Sequence, residues 1–335
     1  MSNDEVRPTV SKVRLIEAAD GDAGQRIDNF LARQWRDLPK SRIYRLLRKG
    51  EVRVNGKRVK PEQRLVAGDR VRLPPVRLDA DPSQRPPSKS LQAIVVAAII
   101  YEDRDLLVVN KPAGVAVHGG SGLSHGVIEA LRTARPELTE LELVHRLDRE
   151  TSGCLMLAKR RSTLRDLHAR FREREMDKRY LALVCGRWQL GAKTIDAPLK
   201  TNQKQGGERV VRVHPEGQAS ISTFKPIEQY GKVATLMEVR IGTGRTHQIR
   251  VHAAYAHHPV AGDEKYGDKE CNAVLKTFGL NRMFLHAHAL SFTKSNSEQF
   301  SVSAPLDEEL QGVLTRLTEA GNSGQRKSRT SQRAG

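Results

Sequence analysis

Cysteine is almost missing from this chain: Cys154, Cys185 and Cys271 are the only three among 335 residues, odd in number and far apart. That scarcity argues against a disulfide framework or a thiolate zinc site, and the three are read as small buried apolar side chains. Long apolar runs are missing too. The longest, Ile94 to Tyr101, is strand-sized, well short of the roughly 20 residues of a membrane-spanning helix. The N-terminus MSNDEVRPTVSK lacks the apolar core of a secretion signal, so a cytoplasmic location is expected. There is no dinucleotide fingerprint and no phosphate-binding loop, and His257-His258 and His286-x-His288 find no third ligand at metal-binding spacing. A chemistry without cofactor is expected. Negative charge is the last deficit, with 39 acidic residues against 57 lysines and arginines, a net charge of +18. Such a surplus on a chain of this length favours a polyanionic partner.

The chain reads as one small and one large domain. Residues 1–24 carry no strong period and form an N-terminal tail. Helical spacing begins with Ile27, Phe30 and Leu31; Pro39-Lys40-Ser41 breaks and re-caps it; Ile43, Leu46 and Leu47 carry a second helix that Gly50 stops. Period-two alternation about Asn55-Gly56 then predicts a hairpin, and Leu65 to Leu73 a further strand. This module spans 25–77. A Pro-, Ser- and Asp-rich linker over 78–93 follows. The second domain, 94–318, shows strands at Ile94 to Tyr101, Leu106 to Asn110, Leu155 to Ala158, Tyr180 to Cys185, Arg209 to His214, Ser220 to Tyr230, Val233 to Ile241, Phe284 to Thr293 and Phe300 to Ser303. Helices are predicted near 127–133, 162–174 and 247–256. Strands follow one another as often as they alternate with helices, which predicts an α+β domain with a mixed, largely antiparallel sheet. The basic tail 319–335 is expected to be disordered.

The charge surplus concentrates in the small module. On its second helix Arg42, Arg45 and Lys49 fall at i, i+3 and i+7, a single-signed face able to track phosphates, and Arg53, Lys57 and Arg58 continue it on the hairpin. In the large domain, His145-Arg146-Leu147-Asp148-Arg149-Glu150-Thr151-Ser152-Gly153 sets one acid between two arginines at the end of an apolar segment. The flanking guanidinium groups favour an anionic Asp148 that acts as nucleophile or base. A kinase loop would place His, Arg and Asp contiguously and be followed by Asp-Phe-Gly. A glycosidase would need a second carboxylate at a fixed separation. Neither pattern is met.

The order of elements from Gln25 to Pro75, with RIDNFLARQW, KSRIYRLLRKGEVRVNGKRVKP and LVAGDRVRL, resembles the S4-type RNA-binding module. HRLDRETSG resembles the signature of pseudouridine synthases of the ribosomal large subunit type, and further matches come at Asp105 to Gly114 with His118-Gly119-Gly120, at Lys178-Arg179-Tyr180, and at Gly244 to His252. The resemblance implies an RNA isomerase that breaks the uridine N1–C1′ bond, turns the base and joins C5 to C1′. It implies Asp148 as catalytic carboxylate, Tyr180 stacking on the uracil, and Arg250 holding the carboxylate in a bidentate pair. Arg146, Arg149, Arg245 and His247 would contact substrate, Arg245 through phosphate. The stretch Gly119 to Glu129 narrows the likeness to a branch whose substrate is 23S ribosomal RNA, free or in an assembling large subunit, at three uridines. Basic residues from Arg160 to Arg174 and from Lys200 to Arg209 would grip it. The competing expectations are a non-catalytic RNA-binding assembly factor and a DNA-binding protein.

Overall fold

The computed structural model describes residues 13–35, 38, 40–76, 86–119, 125–203, 209–294 and 297–331. Most of the expected N-terminal tail, the expected break at Pro39, much of the expected linker, Gly120 to Ser124, residues 204–208 and the last four residues lie outside them. The chain divides into two compact units, residues 1–86 and 87–335.

The first unit runs β1 (Arg14–Glu17), α1 (Ile27–Gln34), α2 (Lys40–Lys49), β2 (Arg53–Val54), β3 (Lys57–Arg58) and β4 (Arg70–Leu73). Its sheet order is β1-β4-β2-β3, antiparallel at each pairing. The helical periods bury Ile27, Phe30, Leu31, Ile43 and Leu47 against Val54, Val71 and Leu73 of the sheet, each contributing roughly 1.5–3 kcal/mol. Gly50 ends α2 with φ of 69°, a left-handed conformation that costs glycine little. β1 lies within residues 1–24, read from the sequence as an N-terminal tail without a strong period. Its four residues are mostly exposed, so no apolar alternation marks it, and its pairing with β4 is a long-range choice.

The second unit runs α3 (Lys89–Ala97), β5 (Ile99–Glu102), β6 (Leu106–Lys111), α4 (Val127–Ala134), β7 (Glu142–Leu143), β8 (Ser152–Ala158), α5 (Arg161–Glu173), β9 (Asp177–Cys185), β10 (Lys193–Asp196), β11 (Leu199–Gln203), β12 (Arg209–Val213), β13 (Ile221–Tyr230), β14 (Ala234–Ile241), α6 (Gln248–Tyr255), α7 (Lys269–Thr277), β15 (Leu285–Thr293), β16 (Gln299–Ser303) and α8 (Glu308–Ser331). Ten strands form one sheet along the path β10-β13-β14-β9-β15-β8-β6-β5, with β16 beside β15 and β7 beside β8. Every pairing is antiparallel except β15 with β8, the α+β architecture with a mixed, largely antiparallel sheet that the pattern predicts. β11 and β12 stand apart as a two-stranded ribbon. Strand alternation separates the core into two faces. Ala182, Val184, Phe224 and Val239 pack with α6, and Leu107, Val109, Leu155 and Leu157 with α4. The opposite face covers Leu106, Val108 and Met156 with α5, and Leu183 and Leu236 with α7 and α8.

Four expectations fail here. Ile94 to Tyr101 is not one strand, because Ser88 caps a helix by accepting from the Leu91 backbone N–H at 3.2 Å. An apolar run of this length fits either element until a cap decides it. The unit therefore begins inside the span expected to be linker. The tail from 319 is not disordered through its length: α8, anchored by Leu310, Val313 and Leu317, continues to Ser331, since adding one residue to an existing helix is far easier than starting one. Cys185 and Cys271 are not separate thiols but a disulfide with Cα atoms 6.1 Å apart across 86 residues of sequence; only the packing of α7 on β9 brings them together. Cys154 alone stays free and buried. The short elements β10, β11 and α7 carry no period that predicts them.

One glycine sets the path of β8. Gly153 has φ of 108°, and a Cβ there would lie 2.3 Å from the Ala287 carbonyl oxygen. Only glycine lets β8 run parallel to β15 at this point, and that approach fixes the loop just before β8 on the sheet.

Candidate active site

Asp148 occupies the loop between β7 and β8, in a turn closed by the Thr151 N–H donating to the Asp148 carbonyl at 3.1 Å. A fully buried lysine holds this loop from behind. Lys111 Nζ donates to the carbonyls of Pro112, Val115 and Arg149 at 2.8, 2.8 and 2.9 Å, and burial pushes its pKa down to about 7. Gly114, with φ of 79°, donates its N–H to the Arg149 carbonyl at 3.0 Å, and Arg149 Nε returns a bond to the Gly114 carbonyl at 2.9 Å. The 111–115 segment is thus stapled to the residue after Asp148.

The second side of the site is the entrance to α6. Gln248 ties it down: its amide oxygen accepts from Thr243 Oγ1 and the Arg245 N–H at 2.7 and 3.0 Å. Its amide nitrogen donates to the Ile221 carbonyl and Ser222 Oγ, both at 2.9 Å. His247, at the helix N-cap with φ of 54°, points Nε2 to within 3.8 Å of Asp148 Oδ2, while its Nδ1 meets the Tyr266 hydroxyl at 2.8 Å. Burial lowers the His247 pKa, against the pull of the Asp148 charge.

Arg250 projects from the first turn of α6 and is buried. Its Nη1 lies 3.5 Å from Asp148 Oδ2. The bidentate pair, however, is made with another acid: Nε and Nη2 donate to Asp263 Oδ2 and Oδ1 at 2.7 and 2.8 Å. The fork expected between Arg250 and Asp148 is thereby corrected, because Asp263 occupies the paired Nε–Nη2 edge of the guanidinium. Burial opposes the charge on both partners, yet their mutual attraction prevails, so Arg250 is held above and Asp263 below its ordinary pKa. Asp263 also accepts from the N–H groups of Lys265 and Tyr266 at 2.9 and 3.1 Å, and the Arg250 guanidinium sits 5.0 Å from the Tyr266 ring centre.

Tyr180 completes the floor. It lies on β9 opposite Val239 of β14 and packs between the core under α6 and the core under α4. Burial first, then the charge of Asp148, pushes its pKa up, which keeps it a neutral phenol. Arg146, Asp148, Tyr180, Arg245, His247 and Arg250 all line one cavity of about 90 Å³. Arg149 does not; its side chain is spent on Gly114. Arg42, Arg45, Lys49, Arg53, Lys57 and Arg58 belong to the first unit. There Arg45, Lys49, Lys57 and Arg58 are exposed, Arg42 is half-buried, and Arg53 reaches the carbonyls of Gly50 and Gly56 at 3.4 and 3.3 Å. Asp263, Gln248, Lys111 and Tyr266 join the site without having been singled out by sequence reasoning. The Gly-Asp in Ala261-Gly262-Asp263-Glu264 signals a turn, which Asp263 does form, but nothing near it in sequence signals an arginine 13 positions earlier.

Of the histidines outside the cavity, His252 and His286 are buried in the fold, while His118 and His257 are exposed. His286, 1% exposed, meets Ser152 Oγ at 2.9 Å and the Ala304 carbonyl at 3.0 Å, and burial lowers its pKa to about 4. The unfolded chain therefore takes up a proton below about pH 6.5 that the folded chain refuses until about pH 4. Stability is expected to fall as pH drops through that window, by up to about 3 kcal/mol. Urea midpoints at pH 7 and pH 5 measure this, and His286→Gln should flatten the slope. Among the described residues no three His, Cys, Asp or Glu side chains converge as a metal site, and no helix is long and apolar enough to cross a membrane.

Two family models match this chain: RNA pseudouridylate synthase over residues 105–255 and S4 domain over 25–71. The chain belongs to the ribosomal large subunit pseudouridine synthases and is an RNA-modifying isomerase. Ribosomal large subunit pseudouridine synthase C of Escherichia coli (strain K12) is 55% identical over 313 residues, covering 92% of this chain and 98% of that one. The protein of the same name from Vibrio vulnificus (strain CMCP6) is 51% identical over 310 residues, covering 92% and 97%. Among solved structures, human RNA Pseudouridylate Synthase Domain Containing 4 is 26% identical with a TM-score of 0.57, covering 68% of this chain and 96% of that one.

Proposed function

We propose that this enzyme converts uridines of 23S ribosomal RNA to pseudouridine in the cytoplasm, at three positions, with Asp148 as the catalytic carboxylate. The observation that carries the reading is the convergence of Asp148, Tyr180, His247 and Arg250 on one small cavity. A uridine stacked in folded RNA cannot reach it, so the target is flipped in. Arg250, braced by Asp263, holds the Asp148 carboxylate toward the sugar, where it serves as nucleophile or as base removing a ribose proton. The N1–C1′ bond breaks with its electron pair staying on the uracil, the uracil turns on the Tyr180 ring, C5 joins C1′ as Asp148 is released or the ribose proton is returned, and the C5 proton leaves, with Tyr180 placed to assist, while N1 takes up a proton. The reaction is isomeric, with no net redox change and no donor group. Mapping pseudouridines in ribosomal RNA from cells with and without the protein tests both the substrate and the positions. Loss of three sites on deletion is expected. An unchanged map would favour the alternative, an assembly factor that binds rRNA without modifying it.

The first unit adds affinity rather than chemistry in this reading. Replacing Arg42, Arg45 and Lys49 together by Ala should weaken RNA binding and lower the log–log salt slope by roughly 0.7–0.9 for each phosphate no longer neutralised. The rate at saturating RNA should barely change. Titrations across a salt series, with single-turnover rates, check both; an unchanged slope would show that this face does not touch RNA.

A further inference from the structure

A second cavity, of about 380 Å³, adjoins the first and shares with it the wall Gly244-Arg245-Thr246. Its floor is apolar, formed by Leu199 and Val211 of the β11–β12 ribbon, 4% and 2% exposed. Its rim is polar, with Lys200, Glu216 and Gln218. The ribbon is locked to the rim: the Leu199 N–H donates to the Gln218 carbonyl at 2.9 Å and the Gln218 N–H to the Leu199 carbonyl at 2.8 Å. Gly217 lies so close that a Cβ there would meet the Leu199 backbone at 2.6 Å. The cavity is therefore held open by backbone pairing, and not by an accident of side-chain packing.

Two features of this cavity bear on what it can hold. Gly244 has no left-handed φ, and a Cβ on it would meet no atom within 4 Å. Neither backbone strain nor crowding demands glycine there, and the space beside it is open. Glu216 sets a carboxylate, 74% exposed, on a surface otherwise suited to phosphate, paired with Lys200 Nζ at 2.6 Å. A carboxylate only accepts hydrogen bonds and repels phosphate. RNA offers it the ring N–H of uracil and guanine, the ribose 2′-OH and the exocyclic amino groups of cytosine, adenine and guanine, and only the amino groups set those three bases apart from uracil.

We propose that this second cavity seats a nucleotide directly bonded to the target uridine, and that it prefers a base bearing an exocyclic amino group, which Glu216 reads while Lys200 and Arg245 hold the linking phosphates. Two cavities with a common cationic wall match two nucleotides joined by one phosphate. The base ring lies on Leu199 and Val211, and Gly244 leaves room for the chain to pass from one cavity to the other. The inference rests on the uridine entering the Asp148 cavity, and it adds a reason why the enzyme selects particular uridines.

The test uses full-length enzyme and 23S RNA transcripts carrying 5-tritiated uridine, with each neighbour of a modified uridine set in turn to cytosine, adenine, guanine or uracil. Wild type should turn over the uracil-neighbour RNA with kcat/KM lower by about tenfold or more on one side of the target. Glu216→Ala, which removes an exposed side chain and leaves the fold intact, should erase that difference. Equal rates for all four bases in wild type, or the same preference in Glu216→Ala, would overturn the proposal. Asp148→Asn in the same assay separates the two readings: tritium release by that variant would remove the catalytic assignment and this one with it, whereas an inactive Asp148→Asn beside a flat neighbour dependence defeats the neighbour cavity alone.

Discussion

Asp148→Asn and Asp148→Ala are expected to lose pseudouridine formation by roughly 10,000-fold or more, with RNA affinity nearly unchanged. Asn keeps the shape of the side chain but has neither the charge nor the lone-pair basicity that a nucleophile or base requires. The surrounding scaffold should tolerate the change, because Asp148 makes no short side-chain bond that the fold depends on; its partners, Arg250 and His247, stand off at 3.5 and 3.8 Å. The Lys111 and Gly114 bonds that secure the loop run to the Arg149 carbonyl instead. Tritium release from 5-tritiated uridine in RNA, beside a binding isotherm, separates chemistry from grip. Turnover by Asp148→Ala near the wild-type rate would sink the catalytic assignment.

Asp263→Asn should damage both the fold and the rate. Asp263 is 2% exposed and supplies both oxygens to the Arg250 fork. Neutralising it leaves a buried guanidinium whose remaining anionic neighbour is Asp148, so stability should drop by about 3–5 kcal/mol, the typical effect of removing one partner of a buried pair. Arg250 is then free to turn its paired edge onto Asp148, drawing the carboxylate away from the sugar and quenching its reactivity. A displacement of that order lowers kcat by roughly 100-fold, while KM is expected to hold. Denaturation midpoints and steady-state rates at low temperature, where the variant is still folded, distinguish the effects. A destabilised variant with wild-type kcat would make Asp263 a structural brace only.

The acid and its company were legible in the chain because HRLDRETSG concentrates them within a few residues, and because a loop motif carries its chemistry locally. The first helices of the small module and most strands of the large sheet were legible for a similar reason: their burial follows a short period that the chain displays. The charge surplus pointed to a polyanionic partner before any geometry did. What the sequence could not show was pairing across distance. Arg250 is bound to Asp263 and not bidentate to Asp148, because the turn after α6 returns an acid to the helix start and takes the paired edge of the guanidinium. Cys185 meets Cys271 for the same kind of reason, through the packing of α7 on β9. Ile94 to Tyr101 became helix and then strand because a serine cap outweighed an ambiguous apolar run. The sequence by itself carried the candidate site residues of the HRLDRETSG stretch, the element types with clear periods, and the sign of the expected partner's charge, all properties of neighbours along the chain. The tertiary structure alone decided which charges meet, where the ribbon opens a second cavity, and how the Asp148 loop is held, since each depends on residues far apart in the chain being brought within a few ångströms.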